Sequence, residues 1–363
     1  MPLSEVSTRT IQVGKHRIFL REAGSGPLVL LLHGWPETSY SWRRQLPVLA
    51  AAGYHAVAID GIGYGRSSRP PHIHDYRVTE LVAVAEGVVH ELGEKTATVV
   101  GHDWGSLVAW TAAWTRPQVF TSVVGMGAPF GGRGLMGIAN SPFGEIRPSV
   151  LERQLAGPDK LFYTEYFDLV GRAEAEVDSD VYGWLRDLLY TASASVLPPD
   201  TPAPDVSALD EAAILEIIRT SPICIPPGGR LRDACVTPEQ LPDWLSQEEL
   251  DHYVAEFERT GMWGGFNWYR CMDLNWEILA AYEDRQVTVP ALYVSSEFDF
   301  SWVVAREAIE RMEEKVPDLR GQVLLKRCGH WMQQEAPDEL NAALVGFLDE
   351  VRSGATAGAV AGS

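Results

Sequence analysis

Apolar positions along this chain fall into three successive rhythms. From residue 10 to about 132, short β-rich runs alternate with stretches of helical spacing. Residues 11–13 and 17–20 flank Gly14-Lys15 and predict an edge hairpin. Residues 27–32 are apolar without a break until His33-Gly34, the pattern of a strand covered on both faces. Residues 55–59, 98–100 and 122–126 read the same way, with helices predicted over 41–51 and 79–92. Alternation of this kind predicts an α/β fold, a mostly parallel central sheet flanked by helices.

From about residue 134 the buried-strand runs stop. Aromatic-rich helical segments are predicted over 163–167, 181–190, 210–219, 247–259 and 268–277. Residues 195–208, rich in Pro, Ala and Asp, read as an exposed excursion. The strand rhythm returns at 289–295 and 322–326, with helices over 302–314 and 337–348. The expected organisation is a sheet core over 1–133, an inserted helical cap over 134–281 and the rest of the core over 282–353. A small-residue tail over 354–363 is expected to fray. The glycine-rich residues 130–134 follow no phosphate-loop pattern and read as a hinge into the cap.

Composition narrows the function by exclusion. The 363 residues are 46% apolar, enough for a large core. A formal charge of -19, with no basic cluster, argues against nucleic acid as a partner. Cys224, Cys235, Cys271 and Cys328 make no metal-spaced pair, and the chemistry read from the motifs below calls for no metal or organic cofactor. Their scarcity fits a reducing compartment. The first residues lack a basic flank and apolar core, and no apolar run is long enough for a membrane span. A cytoplasmic enzyme is the expectation.

Candidate chemistry sits where the strand-like runs end. Gly101-His102-Asp103-Trp104-Gly105 has the frame of a nucleophile elbow, a sharp strand-to-helix turn between small residues, with Asp in place of Ser. A carboxylate attacks saturated carbon to give an ester that water can later cleave. That points to epoxide opening or halide displacement. Glu297-Phe298-Asp299 and Gly329-His330-Trp331 complete the chain order nucleophile, acid, histidine. A lone Asp at a strand end is often only a helix N-cap, and Asp299 is also placed to cap the next helix.

With these segments assembled, the chain resembles the soluble epoxide hydrolases of the α/β-hydrolase family, in particular the bacterial, actinobacterial-type members. The resemblance rests on Leu32-His33-Gly34-Trp35-Pro36-Glu37, Asp60-Gly61-Ile62-Gly63-Tyr64-Gly65-Arg66-Ser67-Ser68, the elbow, Asn267-Trp268-Tyr269-Arg270 and Cys328-Gly329-His330-Trp331. It implies that Asp103 is the nucleophile, His330 the base that activates water, and Asp299 its orienting partner. It implies two cap tyrosines that donate to the epoxide oxygen. Tyr269 matches the second; motif alignment favours Tyr163 over Tyr166 for the first. Backbone N–H groups of Trp35 and Trp104 would hold the oxyanion, with a cis peptide at Trp35-Pro36. Glu37 and His102 would order the hydrolytic water.

The resemblance implies a small-molecule epoxide with apolar alkyl or aryl groups, in detoxification or lipid metabolism, and leaves a homodimer possible by analogy of fold. Two other readings stay open at this level. A haloalkane or haloacid dehalogenase uses the same Asp but needs no phenolic acid. A non-catalytic binder of hydrophobic ligands would tolerate a broken triad, yet no member is missing here.

Overall fold

The unbroken apolar runs form the middle of an eight-stranded sheet. The computed structural model describes residues 5–361. Its strands are β1 (Ser7–Val13), β2 (His16–Ala23), β3 (Leu28–Leu32), β4 (His55–Ile59), β5 (Ala97–His102), β6 (Phe120–Met126), β7 (Leu161–Phe162), β8 (Cys224–Ile225), β9 (Ala291–Ser296) and β10 (Leu319–Leu325). The main sheet has the order β1-β2-β4-β3-β5-β6-β9-β10, and only β2 runs against its neighbours.

Alternation along β3 explains why its register is fixed. Leu28, Leu30 and Leu32 enter the core on one face, Val29 and Leu31 the core on the other. Burying each such side chain contributes about 1.5–3 kcal/mol, and a one-residue slip would exchange the two faces. β4 and β5 pair with opposite edges of β3, so the winding of the sheet reverses there. Ligands of open α/β sheets bind outside the strand ends at such a reversal. The loop after β3 and the elbow after β5 therefore face each other across the natural crevice.

Between β6 and β9 the chain leaves the sheet and builds the helical cap. Helices Tyr163–Asp168, Val181–Thr191, Glu211–Thr220 and Gln247–Thr260 fall where the periodicity places them. Elsewhere the elements differ from expectation for local reasons. The helix expected over 41–51 is a short turn, Ser39–Trp42, then a helix, Leu46–Ala51; Pro47 in its first turn cannot continue a helix from upstream. The segment 268–277 divides at Cys271 into Trp263–Arg270 and Met272–Leu279. Residues 302–314 break at Ala305 into Phe300–Val304, Arg306–Glu310 and the turn Met312–Glu314. The two-residue β7–β8 pair is too short for any periodicity to announce it.

Residues 130–134 are crowded. A Cβ on Gly131 would lie 2.3 Å from the backbone of Gly137, and one on Gly134 would lie 2.7 Å from Gly144. Glycine here lets backbones pack against one another. The last helix, Pro337–Ala361, continues through most of the small-residue tail expected to fray, and residues 362–363 lie outside the described residues. No helix among the described residues is long and apolar enough to cross a membrane.

Candidate active site

Asp103 stands between β5 and the helix Trp104–Thr115, every residue of which is buried. The turn is tight enough to exclude side chains at both flanking positions. A Cβ on Gly101 would lie 1.9 Å from the Gly105 carbonyl oxygen, and one on Gly105 would lie 2.1 Å from that of Leu32. Asp103 itself takes φ 53° and ψ -120°. For a residue with a Cβ that conformation costs on the order of 1–3 kcal/mol. The strain aims the carboxylate away from the sheet and toward the loop after β3.

There the Trp35 backbone N–H donates to Asp103 Oδ1 at 2.7 Å. The Trp35-Pro36 bond is cis, as the sequence permits. Trp104 opens its helix, so its N–H has no carbonyl one turn back and must find a partner outside the helix.

The loops after β9 and β10 bring the other two groups. Asp299 caps the helix Phe300–Val304, accepting from the Ser301 N–H at 2.8 Å and its hydroxyl at 2.7 Å. Capping and catalysis-like placement coexist in one carboxylate, because Asp299 Oδ2 also lies 3.0 Å from His330 Nδ1. Burial pushes the Asp299 carboxyl up, but His330 and Ser301 outweigh it and hold the pKa down at about 2. Burial likewise disfavours the imidazolium of His330. Asp299, then Asp103 and Glu37, outweigh that cost and raise its pKa to about 9. His330 Nε2 points at Asp103 Oδ2, 3.7 Å away.

The cap supplies two phenols opposite this carboxylate. Tyr269 packs edge-on against Trp104, Trp35 and Tyr163, with ring centroids 5.1, 5.7 and 5.5 Å away. The neighbours of Tyr269 in sequence explain how it is held. The Trp268 indole donates to the Ile62 carbonyl at 3.0 Å, fastening the helix Trp263–Arg270 to the core. Arg270 donates to the Phe167 carbonyl at 2.8 Å and pairs with Glu174 at 2.7 Å, binding that helix to the one that carries Tyr163. Burial pushes both phenols well above their ordinary pKa, and the Asp103 carboxylate adds to the effect. They remain protonated donors over any working pH.

Tyr163 is the cap residue brought to the cavity; Tyr166 is not. The Tyr166 hydroxyl donates to Glu176 within the cap, where Glu176 also accepts from the Trp184 indole at 3.0 Å. Asp103, His330, Asp299, Tyr163 and Tyr269 all line one cavity of about 610 Å³, with Trp35 and Trp104 in its wall. The remaining wall is largely apolar, including Leu107, Leu188, Ile217, Ile218 and Val304, and among the described residues no lysine or arginine lines it.

Glu37 and His102 sit behind the cavity wall. Both are fully buried, and neither lines the cavity. His102 Nε2 donates to the His330 carbonyl at 2.8 Å, and its Nδ1 lies 3.1 Å from Glu37 Oε2. The same carboxylate accepts from the side-chain amides of Gln333, at 2.9 and 3.0 Å, and Gln334, at 2.8 Å. Their polar atoms are engaged by protein, one layer behind the reacting groups.

Gln333, Gln334 and Glu335 were not foreseen. Their signal was position alone, three to five residues after His330 in the short helix Met332–Glu335. All four cysteines are free thiols, and no group of three or more metal-ligating side chains occurs among the described residues.

Known proteins share much of this sequence and its fold. The alpha/beta hydrolase fold family profile matches residues 27–175. The chain is 44% identical to epoxide hydrolase B of Mycobacterium tuberculosis over 90% of its own length and 92% of the relative's. It is 35% identical to epoxide hydrolase A of the same organism, over 94% and 96% of the two chains. The solved epoxide hydrolase from an endophytic Streptomyces superposes with a TM-score of 0.85, at 42% identity over 96% of each chain. This chain therefore belongs to the epoxide hydrolases of the α/β-hydrolase fold.

Proposed function

We propose that this enzyme opens apolar alkyl or aryl epoxides to vicinal diols through an ester on Asp103. The observation that carries the reading is the placement of Tyr163 and Tyr269 in the same cavity as Asp103 and His330. Residues 134–281 act as the cap and residues 1–133 and 282–353 as the core that carries the triad.

Trp35 holds Oδ1 of Asp103, which leaves Oδ2 to attack an epoxide carbon. The carbon–oxygen bond breaks, its electron pair goes to oxygen, and a tyrosine phenol delivers the proton. A phenol is still protonated at neutral pH, where an ordinary carboxylic acid is not, and suits a strongly basic alkoxide. His330 then takes a proton from water, and the hydroxide adds to the Asp103 ester carbonyl. Oδ1 becomes the oxyanion, received by the N–H groups of Trp35 and Trp104. Collapse expels the diol as an alkoxide that takes the proton from His330, and the carboxylic acid left on Asp103 returns its proton to the tyrosinate. Asp299 fixes the imidazole and stabilises its charged form.

Glu37 and His102 act in this scheme by supporting the His330 backbone. A departing halide has no use for a proton donor, so the tyrosine pair disfavours dehalogenation. The intact triad disfavours a non-catalytic binder. The wall beyond the triad is largely apolar, which supports uncharged substituents on the epoxide. The four free thiols support a reducing, cytoplasmic setting.

The test is a single turnover of styrene oxide in heavy-oxygen water, followed by digestion. Heavy oxygen in the Asp103 carboxylate, and none in the first diol released, is expected. Heavy oxygen in that diol with an unlabelled Asp103 rules out the ester.

A further inference from the structure

One carboxylate outside the triad gathers donors from both sides of the cavity. Glu335 Oε2 accepts from the backbone N–H of Gly329 at 3.0 Å and of Ala194 at 2.8 Å, while Oε1 accepts from that of Trp331 at 2.9 Å. Gly329 and Trp331 are the residues on either side of His330. Ala194 belongs to the cap, in the segment that follows the helix Val181–Thr191.

Two further bonds join the same segments in the opposite sense. The His330 N–H donates to the Ala192 carbonyl at 2.9 Å, and the Trp331 indole donates to the Leu189 carbonyl at 2.7 Å. The backbones approach so closely that a Cβ on Gly329 would lie 2.3 Å from the Ala194 nitrogen. Thr191, Ala192 and Ser193 line the cavity, so the cap segment on this clamp also faces the substrate space.

We propose that Glu335 is a positioning residue that couples the seating of the cap segment 191–194 to the placement of His330. The inference rests on the ester mechanism above, because His330 is needed there only for the second half of the reaction. Glu335 touches no reacting atom. It holds the peptide units on either side of His330 and takes its third bond from the cap. Loosening the clamp leaves Asp103 and the tyrosines where they are and displaces the base. Ester formation should then continue while ester hydrolysis slows, a split that general loosening of the fold would not produce.

Two variants cut the clamp from different sides. Glu335→Gln replaces an acceptor oxygen with a donor and sets it against a backbone N–H. Ala194→Pro removes the cap donor and sets a ring carbon against Glu335 in its place, at the first position of a short helical turn, whose φ proline suits. Styrene oxide is mixed with each variant, quenched in acid, and the intact protein is weighed over time. Alkyl-enzyme should form within about threefold of the wild-type rate, and its hydrolysis should slow on the order of tenfold to a hundredfold, as displaced catalytic groups do. Ester should therefore accumulate in both variants.

His330→Gln separates the two levels of the argument. If it traps no ester, the covalent mechanism itself fails. If it traps ester while Glu335→Gln and Ala194→Pro hydrolyse theirs at the wild-type rate, the clamp fails alone. Equal slowing of both half-reactions also overturns the clamp. Should Glu335→Gln not fold, Ala194→Pro decides the question by the same readout.

Discussion

Oδ2 of Asp103 and Nε2 of His330 are 3.7 Å apart, an ion-pair distance beyond hydrogen-bonding range. The pair is self-limiting in a useful way. While Asp103 is free, its charge helps Asp299 hold the imidazolium, and His330 has a pKa of about 9. Formation of the ester removes the Asp103 charge. One cause of the raised pKa then disappears when His330 must become a base.

The sign of the pH dependence follows. His330 need not be neutral for ring opening, but it must be neutral for ester hydrolysis. The hydrolysis rate should rise with pH and reach half its maximum below the free enzyme's His330 pKa. Imidazole signals followed by NMR should show His330 titrating lower in Asp103→Asn than in wild type. Asp299→Asn should lower it further, because Asp299 is the stronger of the two carboxylate influences. An unchanged or raised midpoint in Asp103→Asn contradicts the coupling.

In the proposed mechanism, Tyr163→Phe and Tyr269→Phe each remove one donor from the oxygen of the opening ring. Loss of one preorganised donor of this type typically costs 10²–10³ in rate, about 2.7–4 kcal/mol. Rapid-quench measurement of ester formation should show that loss in each variant, with hydrolysis of preformed ester little changed. The double variant should form no ester measurably. A normal rate in Tyr269→Phe would remove it from the reaction.

Tyr166→Phe gives the opposite pattern. Its hydroxyl serves Glu176, which keeps the Trp184 indole and the backbone N–H groups of Leu231 and Arg232 as partners. Activity should stay near wild type, while stability falls by about 1.5–3 kcal/mol, the usual loss for a hydrogen bond to a charged group. Urea unfolding alongside steady-state turnover separates the two effects. A large loss of turnover without destabilisation would return Tyr166 to candidacy.

Much of this site is legible in the chain because each member of the candidate triad follows an apolar run. Asp103, Asp299 and His330 stand beyond the ends of β5, β9 and β10, and parallel strands deliver their ends to one side. Direction is harder to read than position. His102 adjoins Asp103, yet it turns to the His330 carbonyl and Glu37, leaving only Asp103 at the cavity. Glu335 escapes notice for a related reason: its partners are backbone groups, which carry no residue-type signal. The break at Ala305 is silent too, since neither proline nor glycine marks it.

Backbone strain at the nucleophile yields a prediction about stability with no activity involved. Asp103→Ala and Asp103→Gly both abolish ester formation, and both lose the bond from the Trp35 N–H. They differ in the backbone. Alanine retains a Cβ at φ 53° and so keeps the strain, on the order of 1–3 kcal/mol; glycine releases it. Against this, glycine makes the unfolded chain more flexible, which costs about 0.4–1 kcal/mol. The balance favours Asp103→Gly as the more stable variant by about 1 kcal/mol. Paired urea melts at one pH measure the difference directly. If Asp103→Ala were equally stable or more so, the elbow would hold its nucleophile without strain, and the cost assigned to this turn would have to be withdrawn.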